Sequence, residues 1–199
     1  MTRNRGDETR ERILSAAEEC FNELGYEGAG LAEICQRAGV SRGAFYHHFP
    51  SKQAVFLVLL ERWLAGVEEG LAAARASAAT VPEQLTVMAD VVEAVFAAGR
   101  GRLPLFLEFW TQAAHDPAVW EATIAPYRRY RDLFAGLVRS GMDEGSLRAM
   151  DPTVAAQVLL ALGLGLVLQG LLDPDGADWS NAVREGVAIL LNGMQRPLL

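Results

Sequence analysis

The chain has few of the residues from which disulfide frameworks and metal sites are built, with 2 cysteines and 3 histidines among 199 residues. Cys20 and Cys35 cannot form a disulfide framework, which suits a reducing cytosol. We expect both thiols to be buried and inert, with a redox switch as the alternative. His47 and His48 are adjacent and point to different faces, and His115 stands alone, so no metal site is predicted.

Catalytic and cofactor motifs are also absent. Gly163-Leu164-Gly165 lies in an apolar run, lacks a third glycine at the right spacing and follows no strand, so it is not a dinucleotide loop. No phosphate-loop lysine pattern occurs, and we expect neither an enzyme nor a cofactor. The segment 1–7 has no apolar signal core, which predicts a cytoplasmic protein.

No run of alternating hydrophobicity is found, whereas apolar residues at helical spacing recur along the whole chain. This pattern predicts an all-α fold of about nine helices. The first helix is expected to start at a cap on Asp7 or Thr9 and to end at Gly25. The other expected helices are about 31–38, 42–48, 52–78, from 82 to beyond 96, 104–110, 117–140, 154–172 and 180–194.

Residues 38–52 have the pattern of a helix-turn-helix, in which the second helix of the motif enters the major groove of DNA. Gly39 stops one helix, and Ser41 can cap the next. Phe45 and Phe49 are four residues apart, so they share one face and anchor this short helix to the two before it.

The opposite face of the short helix carries residues that suit a nucleic-acid surface. Arginine grips guanine or phosphate at two points, an alanine methyl contacts thymine, and tyrosine and histidine donate to phosphates. The outward residues are Arg42, Gly43, Ala44, Tyr46 and His47, and Lys52 follows as a phosphate partner. Purely structural roles are the alternatives: Tyr46 packs against the protein, His48 fills a gap, or Gly43 leaves room in the turn.

The net charge of −7 is unusual for a DNA-binding protein, but the charge is unevenly distributed. From Gln36 to Lys52 there are three cations, Arg37, Arg42 and Lys52, and no acid. Arg3 and Arg5 add a basic arm. A basic strip on an acidic body suits a protein that meets DNA with one end, with a chance distribution as the alternative.

Residues 10–56 resemble the DNA-binding domain of TetR-family transcriptional regulators. The matching residues are Arg12-Ile13-Leu14 through Phe21, Gly25-Tyr26, Ile34, Ala38 to Gly43, and Tyr46 to Lys52. The resemblance implies a helix-turn-helix domain over 1–52 and a helical ligand-binding and dimerisation domain over 53–199. It also implies that Ser41, Arg42, Gly43, Ala44, Tyr46, His47 and Lys52 contact DNA. Where family members usually have Thr or Ser before the second helix, this chain has Ala29 and Gly30, which implies weaker operator binding.

The resemblance further implies a small-molecule pocket in the aromatic-rich middle of the chain. The candidate ligand-binding residues are Trp63, Phe96, Phe106, Glu108, Phe109, Trp110, Gln112, Trp120, Tyr127 and Tyr130. Glu108 among aromatic rings would suit a lipophilic cation, whereas the aliphatic excess would suit an acyl chain. An ordinary helix-bundle core is the alternative for most of these aromatics.

The last two helices, about 153–172 and 180–194, are predicted to form a homodimer as a four-helix bundle. Residues 154–172 carry no charge and are long enough to span a membrane. We reject a span because Asp151-Pro152 precedes the run, glutamines lie within it and no positive flank marks an inside face.

The predicted function is a ligand-responsive transcriptional regulator, most simply a repressor, that acts as a homodimer on a palindromic operator and is released by a small hydrophobic effector. Two alternatives remain open. One is a hydrophobic-ligand carrier or helical enzyme with a vestigial DNA-binding head. The other is a regulator that is controlled by a protein partner.

Overall fold

The computed structural model describes residues 5–97 and 103–195, and the side chains of residues 6–94 and 107–195. In these ranges the chain forms nine helices and no strand, which confirms the all-α prediction. Leu147 and Gln195 form one isolated antiparallel bridge. The helices are α1 (Arg5–Gly28), α2 (Leu31–Ala38), α3 (Arg42–His48), α4 (Lys52–Ala76), α5 (Val81–Ala97), α6 (Leu103–Ala113), α7 (Pro117–Asp143), α8 (Pro152–Leu172) and α9 (Trp179–Met194).

The ends of α1 follow from its local sequence, but only one end was predicted correctly. The helix begins at Arg5, so a cap at Asp7 or Thr9 was wrong. Asp7 and Glu8 instead lie in the first turn, where a carboxylate interacts favourably with the helix dipole. At the other end Gly25 has a φ of 71°, and this non-helical residue interrupts α1 at the predicted position.

The described residues up to Leu64 form one compact unit together with Pro104–Thr123, called unit 1 here. Its core contains apolar side chains from α1, α2, α3, α4, α6 and the start of α7. The largest fully buried ones include Ile13, Phe21, Ile34, Phe45 and Phe56. Unit 1 therefore includes the first half of α4 and the α6 region, which lie beyond the domain boundary predicted at residue 52.

The described residues of Ala65–Leu103 and Ile124–Leu199 form the second compact unit, called unit 2 here. Its core contains residues such as Leu85, Val138, Leu147 and Leu191. Burial of these side chains is the main favourable term in the folding of such a helical bundle.

Helix α8 is apolar around its whole circumference. Asp151 caps it by accepting hydrogen bonds from the backbone N–H groups of Thr153 and Val154 at 2.8 and 3.2 Å. By length and composition α8 can cross a membrane, which alone is weak evidence, because the core helix of a soluble protein passes the same test. Four large apolar side chains along it are exposed at helical spacing: Val154, Val158, Leu168 and Leu172.

The close contact between α7 and the loop before α8 makes Gly141 sensitive to substitution. A Cβ at Gly141 would lie 2.6 Å from Leu147 Cδ1 and 2.7 Å from its Cγ. Leu147 is fully buried, so its side chain would have to shift within the core of unit 2 to make room for the new methyl group. We expect Gly141→Ala to lower the free energy of unfolding by about 1–3 kcal/mol, as overpacking does, in urea titrations followed by circular dichroism.

Gly66 in α4 provides the control, because a Cβ there would meet nothing within 4 Å. Gly66→Ala is expected to raise the free energy of unfolding by about 0.4–1 kcal/mol, since alanine restricts the unfolded chain. Equal effects of the two substitutions would contradict the packing described at Gly141.

Candidate nucleic-acid interface

The turn between α2 and α3 is formed as its sequence predicts. Gly39 has a φ of 62°, a left-handed conformation that glycine adopts at low cost. The backbone N–H of Gly39 donates to Gln36 O at 3.1 Å, and that of Val40 donates to Cys35 O at 3.0 Å, which closes the C-terminus of α2. Ser41 Oγ accepts from the backbone N–H of Ala44 at 3.1 Å and so caps α3.

Two phenylalanines fix the inner side of α3. Phe45 is fully buried, Phe49 is nearly so, and their ring centroids lie 6.0 Å apart. The Arg10 guanidinium lies 5.1 Å from the Phe49 ring centroid, which adds a cation–π contact from α1. Because α3 has only seven residues, tertiary packing rather than intrinsic helix propensity stabilises it.

The outer side of α3 is exposed to solvent. The side chains of Arg42, Tyr46 and His47 are exposed, as is the backbone at Gly43, whereas Ala44 is half-buried. Tyr46 keeps 55% of its surface accessible while its ring edge contacts Phe45. The predicted DNA-facing residues therefore share one accessible face, and their contacts with DNA stay a prediction.

Arg37 does not contribute a free charge to the predicted basic strip, which corrects the sequence-based expectation. Its guanidinium donates to Glu33 at 2.7 Å and to Glu23 at 2.7 Å. These hydrogen bonds raise the pKa of Arg37. Glu33 lies four residues before Arg37 on α2, so this pair has the spacing of neighbours on one helix face. Arg3 and the side chain of Arg5 lie outside the described residues.

Lys52 has partners that were not predicted. Its Nζ donates to the backbone oxygen of Tyr26 at 2.6 Å and lies 4.2 Å from the centroid of the Tyr26 ring. An ammonium has three N–H donors, so a contact with a phosphate is compatible with this position. The Tyr26 ring packs on Phe56 at 4.6 Å, which links Lys52 to the core of unit 1.

The two residues before α2 differ in the space around them. Ala29 is fully buried and belongs to the core. Gly30 is the N-cap of α2, has no capping side chain, and leaves room for a Cβ with nothing within 4 Å. At Gly30, where TetR-family members usually have Thr or Ser, the space for a side chain is therefore open, and only the backbone N–H can contact a phosphate.

The predicted ligand-binding residues are divided between the two units. Unit 1 contains Trp63, Glu108, Phe109, Trp110, Gln112 and Trp120, whereas unit 2 contains Tyr127 and Tyr130. Phe109 is buried against Phe56 at 4.5 Å and therefore belongs to the core, while Trp110 and Trp120 are each half exposed. The side chains of Phe96 and Phe106 lie outside the described residues.

Polar residues of α6 contact the C-terminal part of α1. Gln112 Nε2 lies 3.3 Å from Glu108 Oε1 and 3.5 Å from Glu27 Oε1. Glu108 Oε2 lies 3.5 Å from the position that a Cβ would take at Gly25. These groups therefore lie at the surface of unit 1 beside α1, and an effector contact for them stays a prediction.

Unit 2 contains an open cavity of about 650 Å³. Of the predicted ligand-binding residues whose side chains the structure describes, Tyr130 lines it. Burial and the nearby Glu68 carboxylate raise the pKa of Tyr130 to about 12, so its phenol is neutral at physiological pH. The other lining residues are Glu68, Leu71, Ala72, Arg75, Ala76, Gln84, Arg129 and Leu133.

Sequence reasoning missed most of this cavity, although part of its signal was readable. Glu68, Ala72 and Arg75 recur at helical spacing and therefore share one face of α4. Arg129 and Tyr130 come from α7, about sixty residues later, and no spacing rule connects them with α4. Arg129 donates to Glu68 from Nε at 3.0 Å and from Nη2 at 2.7 Å.

Both cysteines are buried free thiols, as expected. Burial raises the pKa of the Cys20 thiol, which disfavours the reactive thiolate. No cluster of three or more residues that can hold a metal occurs in the part of the chain that the structure describes.

Comparison with known proteins identifies the family. The family model of bacterial regulatory proteins of the tetR family matches residues 13–59. The model of the C-terminal domain of BetI-type transcriptional repressors matches residues 85–192, which is more than half of the chain. The chain belongs to the TetR family. It is a DNA-binding transcriptional regulator, and the helix-turn-helix of the TetR family is its α2–α3 segment.

Relatives support this assignment along most of the chain. The HTH-type transcriptional repressor Rv1474c of Mycobacterium tuberculosis is 32% identical over 168 residues, which cover 82% of this chain and 80% of that protein. The HTH-type transcriptional activator FasR of Mycolicibacterium smegmatis is 38% identical over 90 residues, but these cover only 45% of this chain and 40% of FasR. A transcriptional regulator from Saccharomonospora viridis, solved in complex with choline, has a TM-score of 0.84 at 25% identity and covers 96% of this chain and 100% of its own.

Proposed function

We propose that this TetR-family protein is a repressor that binds a palindromic operator as a homodimer and is released by a small hydrophobic effector. The observation that carries the DNA part is the face of α3, where Arg42, Tyr46 and His47 are exposed while Phe45 and Phe49 anchor the helix. A dimer would place two such helices in successive major grooves, about 34–36 Å apart.

The effector part is supported by the cavity in unit 2. The regulator from Saccharomonospora viridis, solved in complex with choline, supports a small-molecule effector in general but not its chemical class. Helix α4 supplies its first residues to unit 1 and those from Ala65 onward to unit 2. If the protein has two conformations that differ in the orientation of α4, an effector that binds one of them more tightly would increase the population of that conformation. Bound effector would then lower the affinity for the operator, and bound operator would lower the affinity for the effector by the same factor.

Arg42 and Lys52 test the DNA contacts in different ways. Arg42→Ala is expected to cost about 1–3 kcal/mol of binding to the preferred duplex and to relax base preference, because a bidentate contact to a base is lost. Lys52→Ala is expected to weaken binding to all duplexes alike and to reduce its salt dependence, because a phosphate contact is lost. The measurement is a gel shift with a duplex that the wild-type protein selects from random-sequence DNA.

The control is Arg139→Ala, since Arg139 is an exposed arginine of α7 in unit 2. It should leave the affinity for the duplex unchanged, and circular dichroism should show that all three variants are folded. If Arg42→Ala and Lys52→Ala bound the duplex as well as the wild type, the proposed DNA surface would be wrong. Selection that yields no bound duplex would favour a carrier with a vestigial head.

A further inference from the structure

We infer that the cavity of unit 2 binds an amphipathic organic anion, with its acid group at Arg75 and its apolar body over Leu71 and Leu133. This inference names the effector class and to that extent rests on the proposed function. The cavity volume of about 650 Å³ lies within the usual range for small-molecule sites.

The charges that line the cavity favour an anion. Arg75 and Arg129 provide two positive charges and Glu68 provides one negative charge. The carboxylate of Glu68 already accepts two hydrogen bonds from Arg129, so the Arg129 guanidinium compensates its negative charge without a ligand. A cationic headgroup would therefore meet a paired carboxylate and a second guanidinium that repels it.

Arg75 is the group that is available for the acid. Within the described residues its guanidinium has no hydrogen-bond acceptor and no carboxylate partner, in contrast to Arg129. It lies in the last turn of α4, where the helix dipole favours a cation. A guanidinium binds a carboxylate through two parallel N–H···O bonds, which gives both geometry and strength.

The remainder of the lining suits an apolar chain. Leu71 is buried at the edge of the core of unit 2, and Leu133 and the Tyr130 ring are half-buried beside it. Ala72 and Ala76 are small and leave the space above them open. A ligand with an acid at one end and a hydrocarbon body can therefore pair with Arg75 and cover apolar surface at the same time.

Three probes with a linear ten-carbon chain separate the headgroup chemistries: decanoate, decanol and decyltrimethylammonium. We would titrate each below its micelle concentration into the purified full-length protein without DNA, by isothermal calorimetry. Decanoate is expected to bind at least tenfold more tightly than the other two, and its affinity should fall as salt increases. Tighter binding of decyltrimethylammonium, or equal binding of decanol, would overturn the inference.

Variants locate the site. Arg75→Gln is expected to weaken decanoate binding about tenfold while leaving decanol unchanged, and the matched control Arg139→Gln should change neither. Ala72→Trp should obstruct the cavity and weaken decanoate binding, with its melting temperature showing that it is folded. Decanoate binding that is unchanged in Arg75→Gln would overturn the inference. A changed oligomer mass of Arg75→Gln in light scattering would also overturn it, because it would show that the cavity is a protein interface.

The gel shift separates the two proposals. Decanoate that binds through Arg75 but does not release the duplex would support the cavity inference and contradict the proposed effector response. Release of the duplex by decyltrimethylammonium, with no binding of decanoate, would support an effector response and contradict the anion inference.

Discussion

Phe45→Ala is expected to lower the free energy of unfolding by about 3–5 kcal/mol, the usual cost of removing a buried aromatic ring. Phe45 is fully buried, and its ring contacts Tyr46 and Phe49. Since α3 has only seven residues, it has little stability apart from this anchor. We therefore expect the variant to have a less stable unit 1, measured by urea titration. We also expect it to lose binding to the selected duplex, measured by gel shift.

The adjacent residue provides a matched control. Tyr46 has 55% of its surface exposed, so Tyr46→Ala removes an aromatic ring of similar size that lies mostly in solvent. The free energy of unfolding should change by no more than about 0.5 kcal/mol, as for other surface substitutions, while affinity for the duplex should fall. A stability loss at Tyr46 as large as that at Phe45 would show that α3 is oriented differently from the structure described.

The ends of the short helices α2 and α3 were predictable because chemically distinctive residues lie at them. Gly39 and Ser41 occupy a left-handed turn and an N-cap, and α2 and α3 have the bounds that these residues predict. The start of α1 was missed because several residues near it can cap a helix, and the sequence gives no measure that selects among them. Position alone did not show that Asp7 lies inside the first turn.

The partners of charged residues were harder to predict than the helices. The Glu33–Arg37 pair has a helical i,i+4 spacing and was readable, but Glu23 reaches Arg37 from α1, fourteen residues earlier. Lys52 likewise bonds to the backbone of Tyr26, a contact that no side-chain pattern specifies. Tertiary contacts of this kind decide which cations remain available to DNA.

The predicted ligand site shows the same limit. The aromatic residues of the middle of the chain were grouped by their closeness in sequence, yet Phe109 packs into the core of unit 1. Tyr130 lines the cavity of unit 2 together with residues of α4 that are not aromatic. A cavity is formed by helices that are distant in sequence, so its lining follows from the packing and not from local composition.

Leu168→Glu is expected to convert a homodimer into a monomer. Leu168, with Val154, Val158 and Leu172, forms the exposed apolar stripe of α8, and Ile189 of α9 is also largely exposed. A partner subunit that covers this stripe would enclose the new carboxylates, and burial of an unpaired charge is strongly unfavourable. The dimer would bury two such charges, because a twofold interface uses the same patch of both subunits. We expect the dissociation constant to rise at least about 100-fold, equivalent to roughly 3 kcal/mol.

Leu107→Glu is the matched control for this change, because Leu107 of α6 is 38% exposed, close to the 43% of Leu168, but lies in unit 1. Light scattering at micromolar concentration should give twice the chain mass of 21.6 kDa for the wild type and for Leu107→Glu, and the single mass for Leu168→Glu. Binding of the Leu168→Glu variant to the palindromic duplex should weaken in parallel, since two heads on one dimer bind as a linked pair. A wild-type monomer would contradict the dimer, whereas a dimeric Leu168→Glu variant would exclude the α8 stripe from its interface.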